Sequence, residues 1–439
     1  MRTVNVAMIN VQEGVNLRSS MSDIRVTTLS CGAIVLCEQM SGVRSAAISC
    51  VIPGGSAYDP EDAQGRGTMW VKLLLRGSMT LSSREQAAAF DRLGASRGTD
   101  LGSYSVRIAA GLLGTQLAST LPLIVEMVRT PLIEDAAIEP CRELAFAAIE
   151  SMKDDPQERA SHLARDRHYP APLNRSGLGT VDGLTALNAA RLRDEWRKVA
   201  VPAGANRSGS IFGFAGAIET EKIEAQLEEL TAGWLGATSE PPLTTVPLRG
   251  YAHADDPSNQ VQILLLHDAP SESDPDSVLE KIVVNVLSGG MAGRLFTQVR
   301  EKRGLCYSVS AGYRGDRDFG SLSAYVGTTP QKAQQSLDVL FEELDSLSLP
   351  KGRITQEEFD RAITGMKTNI VFSGESSGAR AATIVSDYRR LGRPRTLDEI
   401  TREVSSISLE QVNDYLARRR MGRITVQTLG PTELVPPHL

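Results

Sequence analysis

Between Val299 and Ser308 the chain reads VREKRGLCYS, a cationic run that breaks at Gly304 and continues as an apolar, aromatic segment. Its chemistry-bearing residues are Arg300 and Tyr307. A phenol can donate a hydrogen bond to an oxyanion, and a guanidinium can grip peptide carbonyls. The pattern puts Arg300 near the end of a helix, on a face with Phe296 four positions earlier, and Tyr307 at the head of a strand. Helix end and strand start meet at the Arg303-Gly304 turn, so both side chains can point into one cavity. A surface helix ending in a core tyrosine would explain either residue alone. Cys306 reads as a small buried hydrophobe rather than a nucleophile.

Just upstream, Gly289, Gly290 and Gly293 form a loop between the helical segments SVLEKIVVNVL and RLFTQVREK. A phosphate loop would need G-x-x-x-x-G-K-[ST], which is absent. Glu143 and Glu150 stand two helical turns apart on one face of CRELAFAAIE. The histidines do not assemble a metal site: His162 and His168 fall off a common helical face, and His253, His267 and His438 lie in the second half or the tail. Five cysteines, an odd number with no C-x-x-C pair, fit reduced thiols better than a disulfide frame or structural zinc.

Two or three domains are expected to position these residues, since the chain has 439. With 41% hydrophobic and 23% charged residues it has the composition of a globular protein with real cores. A net charge of −6 argues against a nucleic-acid or membrane-surface role. No apolar run is long enough to span a membrane. The opening MRTVNVAMINVQEGVNLRSS lacks an apolar core and cleavage site, so no signal peptide and a cytoplasmic location are expected.

The chain also repeats itself. Ala109–Pro131 and Ala324–Leu347 each end a strand, turn at Gly-Thr (Gly114-Thr115, Gly327-Thr328) and enter an amphipathic helix. Thr180 and Thr396, each followed two positions later by an acidic residue, open a second matching pair of helices at nearly the same offset. Each copy orders strands, a helix, more strands, then several helices. That order predicts an α+β fold of two homologous domains, residues 1–237 and 251–439, each a mainly antiparallel sheet with helices on one face. The Pro-, Thr- and acid-rich stretch at 238–250 reads as the linker.

The stretches GSAYDPEDAQGRGTMWVKLLLRGS in the first copy and LSGGMAGRLFTQVREKRGLCYSV in the second resemble the pitrilysin/insulinase metallopeptidases, in particular the mitochondrial processing peptidases and their bacterial relatives. The resemblance runs from about Ile24 to Leu429. In that family the first framework carries H-x-x-E-H, two zinc-binding histidines flanking a general base. Here those five residues are Thr68-Met69-Trp70-Val71-Lys72. Threonine is a poor zinc ligand, Val71 cannot accept a proton, and Lys72 puts a cation where the metal would sit. No metal and no cofactor are therefore expected in this chain. The family's third ligand falls at Glu150, which reads either as a salt bridge to Lys72 or as a solvated carboxylate. The resemblance further implies that Gly289, Gly290 and Gly293 line a substrate chamber between the two halves, as does the turn after Tyr58. Arg300 and Tyr307 would reach from the second half to a peptide held at the zinc of another domain.

Three functions compete on this reading. One is a non-metal-binding subunit of a heterodimeric zinc peptidase, completed by a zinc-bearing homologous subunit and acting on a peptide substrate. Another is a catalytically inactive homologue serving as a scaffold or peptide-binding protein. The third is a self-sufficient enzyme with some other metal set. Arg300 and Tyr307 favour the first, because a pure scaffold has no use for them. A homodimer is the alternative assembly when the chain is alone.

Overall fold

The computed structural model describes residues 23–437, so the N-terminal segment read for a signal peptide and His438 lie outside the described residues. In the first half, strands β1 (Ile24–Thr28), β2 (Ile34–Gln39), β3 (Ser45–Pro53), β6 (Ser96–Leu101), β7 (Ser105–Leu113) and β9 (Ile211–Gly216) form a sheet ordered β1-β2-β9-β3-β7-β6. The short strands β4 (Gly77–Ser78) and β5 (Leu81–Ser82) pair with each other, as do β8 (Ala203–Gly204) and β10 (Ala237–Thr238). The helices are α1 (Arg66–Leu73), α2 (Ser83–Arg92), α3 (Leu117–Arg129), α4 (Asp135–Lys153), α5 (Pro156–His168), α6 (Val181–Thr185), α7 (Ala189–Val199) and α8 (Thr220–Leu230). In the second half, β11 (Gly250–Asp255), β12 (Val261–Ala269), β13 (Ser308–Gly315), β14 (Gly320–Thr328) and β15 (Thr425–Gly430) form a sheet ordered β11-β15-β12-β14-β13. Its helices are α9 (Ser277–Ser288), α10 (Ala333–Ser346), α11 (Gln356–Gly374), α12 (Ser377–Leu391), α13 (Leu397–Ser406) and α14 (Leu409–Arg418).

The duplication is written in the pairing. Removing β1 leaves β2-β9-β3-β7-β6, which matches β11-β15-β12-β14-β13 strand for strand. In each sheet the first pair is parallel and the other three are antiparallel. The repeated capping residues do the same work in both copies. Thr180 accepts the Gly183 N–H at 3.0 Å, and Thr396 accepts the Glu399 N–H at 3.1 Å. Each satisfies an N–H that the first helical turn leaves unpaired.

Each sheet has its own core: Ile48, Ile52, Ile108, Trp70 and Trp196 in the first half, Ile263, Leu265, Val326 and Leu337 in the second. The opposite faces are covered too, and by exchange. Helix α12, from the second half, lies on β3 and β9 of the first sheet, while α5, from the first half, lies on β12 and β15 of the second. Under α12 the strands offer small residues, Ala47, Gly213 and Ala215. A Cβ at Gly213 would overlap the Val385 side chain, so glycine there sets how closely α12 approaches. Ile384 and Val385 add contacts to Leu36, Val51 and Ile211. One buried ion pair fastens the seat: Arg380 donates from Nε to Glu38 at 2.8 Å, and its Nη2 lies 2.7 Å from the same carboxylate oxygen. Residues 239–249 form the irregular connection between the halves, but two helices sit across that sequence boundary.

Candidate functional site

The metal-motif framework of the first half lies on α1. Asp59, buried just before it, accepts the N–H groups of Gly65 at 2.8 Å and Gly67 at 3.0 Å and so organises the helix start. Burial pushes its carboxyl up to about 6, against those N–H groups and Arg66. Thr68 is buried, and its hydroxyl donates to the Gly177 carbonyl, so loop 170–179 lies against this position. Val71 contributes only its backbone carbonyl, which accepts the Thr99 hydroxyl at 2.6 Å. Lys72 is half-buried beside Cys141, with no hydrogen bond or ion pair to a described residue. Glu150 is exposed and pairs with Lys153 at 2.7 Å. The expected Glu150–Lys72 salt bridge is therefore not formed. An exposed α4 carboxylate finds a lysine one turn away on its own helix, and the solvated alternative describes it. Glu143 is likewise exposed.

These donors do not fit zinc. A hydroxyl committed to a carbonyl, a valine, an ammonium and one solvated carboxylate cannot supply a tetrahedral set. Among the described residues no group of three or more His, Cys, Asp or Glu could hold a metal ion. The framework instead borders a cleft of about 590 Å³, lined by Glu61, Gln64, Ile149, His162, Asp166 and Gly179 among others.

The second site is the stretch from Gly289 to Tyr307. Helix α9 ends at Gly289, where a Cβ would collide with the Asn285 carbonyl. Gly290 has φ +126°, which L side chains rarely adopt. A Cβ at Gly293 would press the Leu287 carbonyl at 2.9 Å. Gly289 and Gly290 are exposed, whereas Arg294 turns inward and holds Glu358 in a bidentate pair at 2.8 and 2.7 Å. The helix that follows is wound as a π-helix over Phe296–Glu301, a winding that is rare and concentrated at functional sites. Arg300, on its last turn, is exposed and lays its guanidinium 4.9 Å from the Phe296 ring centroid. Tyr307 stands one residue before β13, its N–H donating to Gly327 at 3.0 Å and its side chain 63% exposed. Neither the guanidinium nor the phenol hydroxyl has a hydrogen-bonding partner among the described residues. Cys306, between them, is half-buried; burial raises its thiol and the nearby Arg300 charge opposes the rise.

The turn after Tyr58 is tied at Asp59 to the start of α1 and to Arg175, while the turn before Tyr58 packs against the Leu101–Ser105 turn, Ser56 and Ala57 donating N–H groups to Gly102 and Ser103 at 3.0 and 2.8 Å. Gly55 permits this, since a Cβ there would strike the backbone of Gly102, Ser103 and Ser105. The clefts around these turns, of about 370 and 270 Å³, are lined by neither the glycine loop nor Arg300 and Tyr307. Sequence reasoning missed the residues that join the halves here: Arg165 of α5, Arg314 of β13 and Ser103. Isolated arginines carry no motif, and their meeting depends on the exchange of α5.

Comparison with known proteins supports one lineage for both halves. Residues 34–180 match the family described as Insulinase (Peptidase family M16), and residues 210–366 match the Peptidase M16 inactive domain. An uncharacterized zinc protease of Streptomyces coelicolor is 26% identical over 93% of this chain and 90% of its own length. Another, from Bacillus subtilis, is 26% identical over 90% of this chain and 95% of its own. Among solved structures, a peptidase M16 inactive domain from Pseudomonas fluorescens superposes with a TM-score of 0.81 at 20% identity, covering 94% of this chain and 99% of that one. A chain of complex III2 from Candida albicans gives 0.77 at 15% identity, covering 93% and 96%. With both halves matched and the sheet plan repeated, the chain belongs to the pitrilysin/insulinase peptidase family, M16.

Proposed function

We propose that this chain is the non-metal-binding subunit of a two-chain zinc metallopeptidase, acting with a homologue that carries an intact H-x-x-E-H. The observation that carries the reading is that Arg300, at the end of the π-helix, and Tyr307, just before β13, are both exposed and without hydrogen-bonding partners among the described residues. Neither is committed to another side chain of the fold, so each can exchange water for a ligand. The partner would supply the metal. In this chain Tyr307 would donate its phenol proton in a hydrogen bond to the carbonyl oxygen of the peptide as negative charge develops there. Arg300 would hold a neighbouring carbonyl before and during the reaction. The exposed Gly289 and Gly290 would let a peptide backbone approach closely, with buried Gly293 fixing the loop beneath them.

The test is steady-state kinetics on the reconstituted pair, with association checked by size exclusion. Tyr307→Phe should leave assembly and KM nearly unchanged and lower kcat by roughly 10²- to 10³-fold, the loss expected for one oxyanion donor. Arg300→Ala should raise KM as well, because its grip exists in the ground state. Undiminished turnover from the Tyr307→Phe pair would sink the catalytic role. The scaffold reading would then lead.

A further inference from the structure

We propose a carboxylate-binding subsite at the seam between the two halves, formed by Arg165, Arg314 and the Ser103 hydroxyl, where an acidic peptide group is held. This rests on the reading of the chain as a peptide-binding member of its family. The guanidiniums come from opposite sides, Arg165 from α5 and Arg314 from β13, and both donate to the same oxygen, Ser103 Oγ, at 3.1 and 2.8 Å. A hydroxyl that accepts twice still has its own proton to donate, so a third group can dock on the cluster.

Neither guanidinium has a carboxylate partner among the described residues, although nearby arginines do: Arg159 pairs with Asp256, Arg249 with Asp268 at 2.6 Å, and Arg317 with Glu240 at 2.9 Å. The remaining contacts of the pair are a Leu173 carbonyl at 3.4 Å from Arg165 and the Tyr169 ring, 5.3 Å from the Arg314 guanidinium. Arg165 Nε is buried with no partner. Burial and the Arg314 charge together pull the Arg165 pKa down to about 10; Glu158, which opposes this from the same helix, is 3.1 Å from His162 instead. Two like charges converging on one oxygen raise the energy of the fold unless an anion sits with them. A carboxylate, planar with two oxygens, can bridge two guanidiniums.

Access is through the Leu101–Ser105 turn. Leu101, Gly102 and Ser105 line the 370 Å³ cleft against α12, and Tyr104 lines the 270 Å³ cleft beside Phe319. Ser103, Arg165 and Arg314 are each half-buried, and the two clefts flank Ser103 through its sequence neighbours.

The experiment uses the full chain and three peptides of one Ala/Ser/Gly sequence, with affinities read by calorimetry. One carries a central Glu and an amidated end, one a central Gln and a free C terminus, and one a central Gln and an amidated end. Wild-type protein should bind one of the first two roughly 10- to 100-fold more tightly than the third, the contribution of charge-assisted bonds; which one identifies the source of the carboxylate. Arg165→Gln and Arg314→Gln should each abolish that preference and leave the neutral peptide unaffected. A parallel arm compares thermal stability in glutarate and in chloride at equal ionic strength. A glutarate-specific rise in Tm that both variants lose, with no peptide bound, would keep the subsite and reject the peptide-binding reading. Equal binding of all three peptides, or no glutarate effect and no peptide preference, would overturn the subsite.

Discussion

The seat of α12 on the first sheet can be measured through Glu38→Leu. Glu38 and Arg380 are each only 1% exposed. Removing the carboxylate leaves the guanidinium with the Arg395 carbonyl at 3.1 Å, and its Nη1 is already buried without a partner. An uncompensated buried charge of this kind costs about 3–5 kcal/mol. Arg380→Met alone should cost a similar amount, by stranding Glu38. The double replacement removes both charges and offers the apolar cluster of Leu36, Ile211 and Ile384 a neighbour of like character. It should return to within about 1–2 kcal/mol of wild type, because apolar substitutes for a buried pair are often neutral. Urea denaturation of the three variants gives the cycle, and amide exchange of β2, β3 and β9 locates the loss. A single-variant cost below about 1 kcal/mol, or exchange that rises only in the second sheet, would refute the claim that this pair fastens α12 to the first half.

Three further outcomes follow from the same structure. His168, carried by the exchanged α5, and His267 are both buried, which pulls their pKa values down to about 4 and about 3; the charges of Arg249 and Arg419 act in the same direction. Both stay neutral in the fold while the unfolded chain takes up protons below about 6.5, so stability should fall as pH drops from there toward 4, by up to about 1.4 kcal/mol per pH unit for each histidine; a flat urea midpoint over pH 7 to 4.5 would contradict this. Metal analysis of the purified chain should find no stoichiometric zinc. Thr68→His, Val71→Glu and Lys72→His combined should not restore it, because loop 170–179 lies on position 68 and Glu150 turns to Lys153; about one zinc per triple-variant chain would show that those groups rearrange easily. In the native protein a thiol reagent should label Cys31 and Cys306 well before Cys37, Cys50 and Cys141, which are buried; early labelling of Cys50 would mean that β3 is more open than its packing implies.

Much of the chain is governed by neighbours in sequence, and that part could be read without a structure. The helix start at Ser82 follows from its capping box with Glu85. The turn between β1 and β2 needs φ +93° at position 32, and glycine stands there. The repeat of Gly-Thr turns and threonine caps announced two like halves, and the strand pairing repeats accordingly. The loss of the metal motif was equally local, since it depends only on which side chains stand at 68, 71 and 72. What lies beyond sequence is anything settled by which surface covers which. The order of elements suggested helices on one face of each sheet, whereas the continuous apolar runs AAISCVI in β3 and VQILLL in β12 are buried on both faces. They could not say that the second cover comes from the other half, because α5 and α12 have no local feature that names the sheet they will meet. The partner of Glu150 stayed open between two readings for the same reason: a lysine one turn away competes with one on another helix, and only the packing of α1 against α4 decides. Arg165, Arg314 and Ser103 are far apart in the chain and meet because α5 crosses the seam. A shared hydroxyl between two cations is a property of the assembled interface, with no counterpart in any single segment.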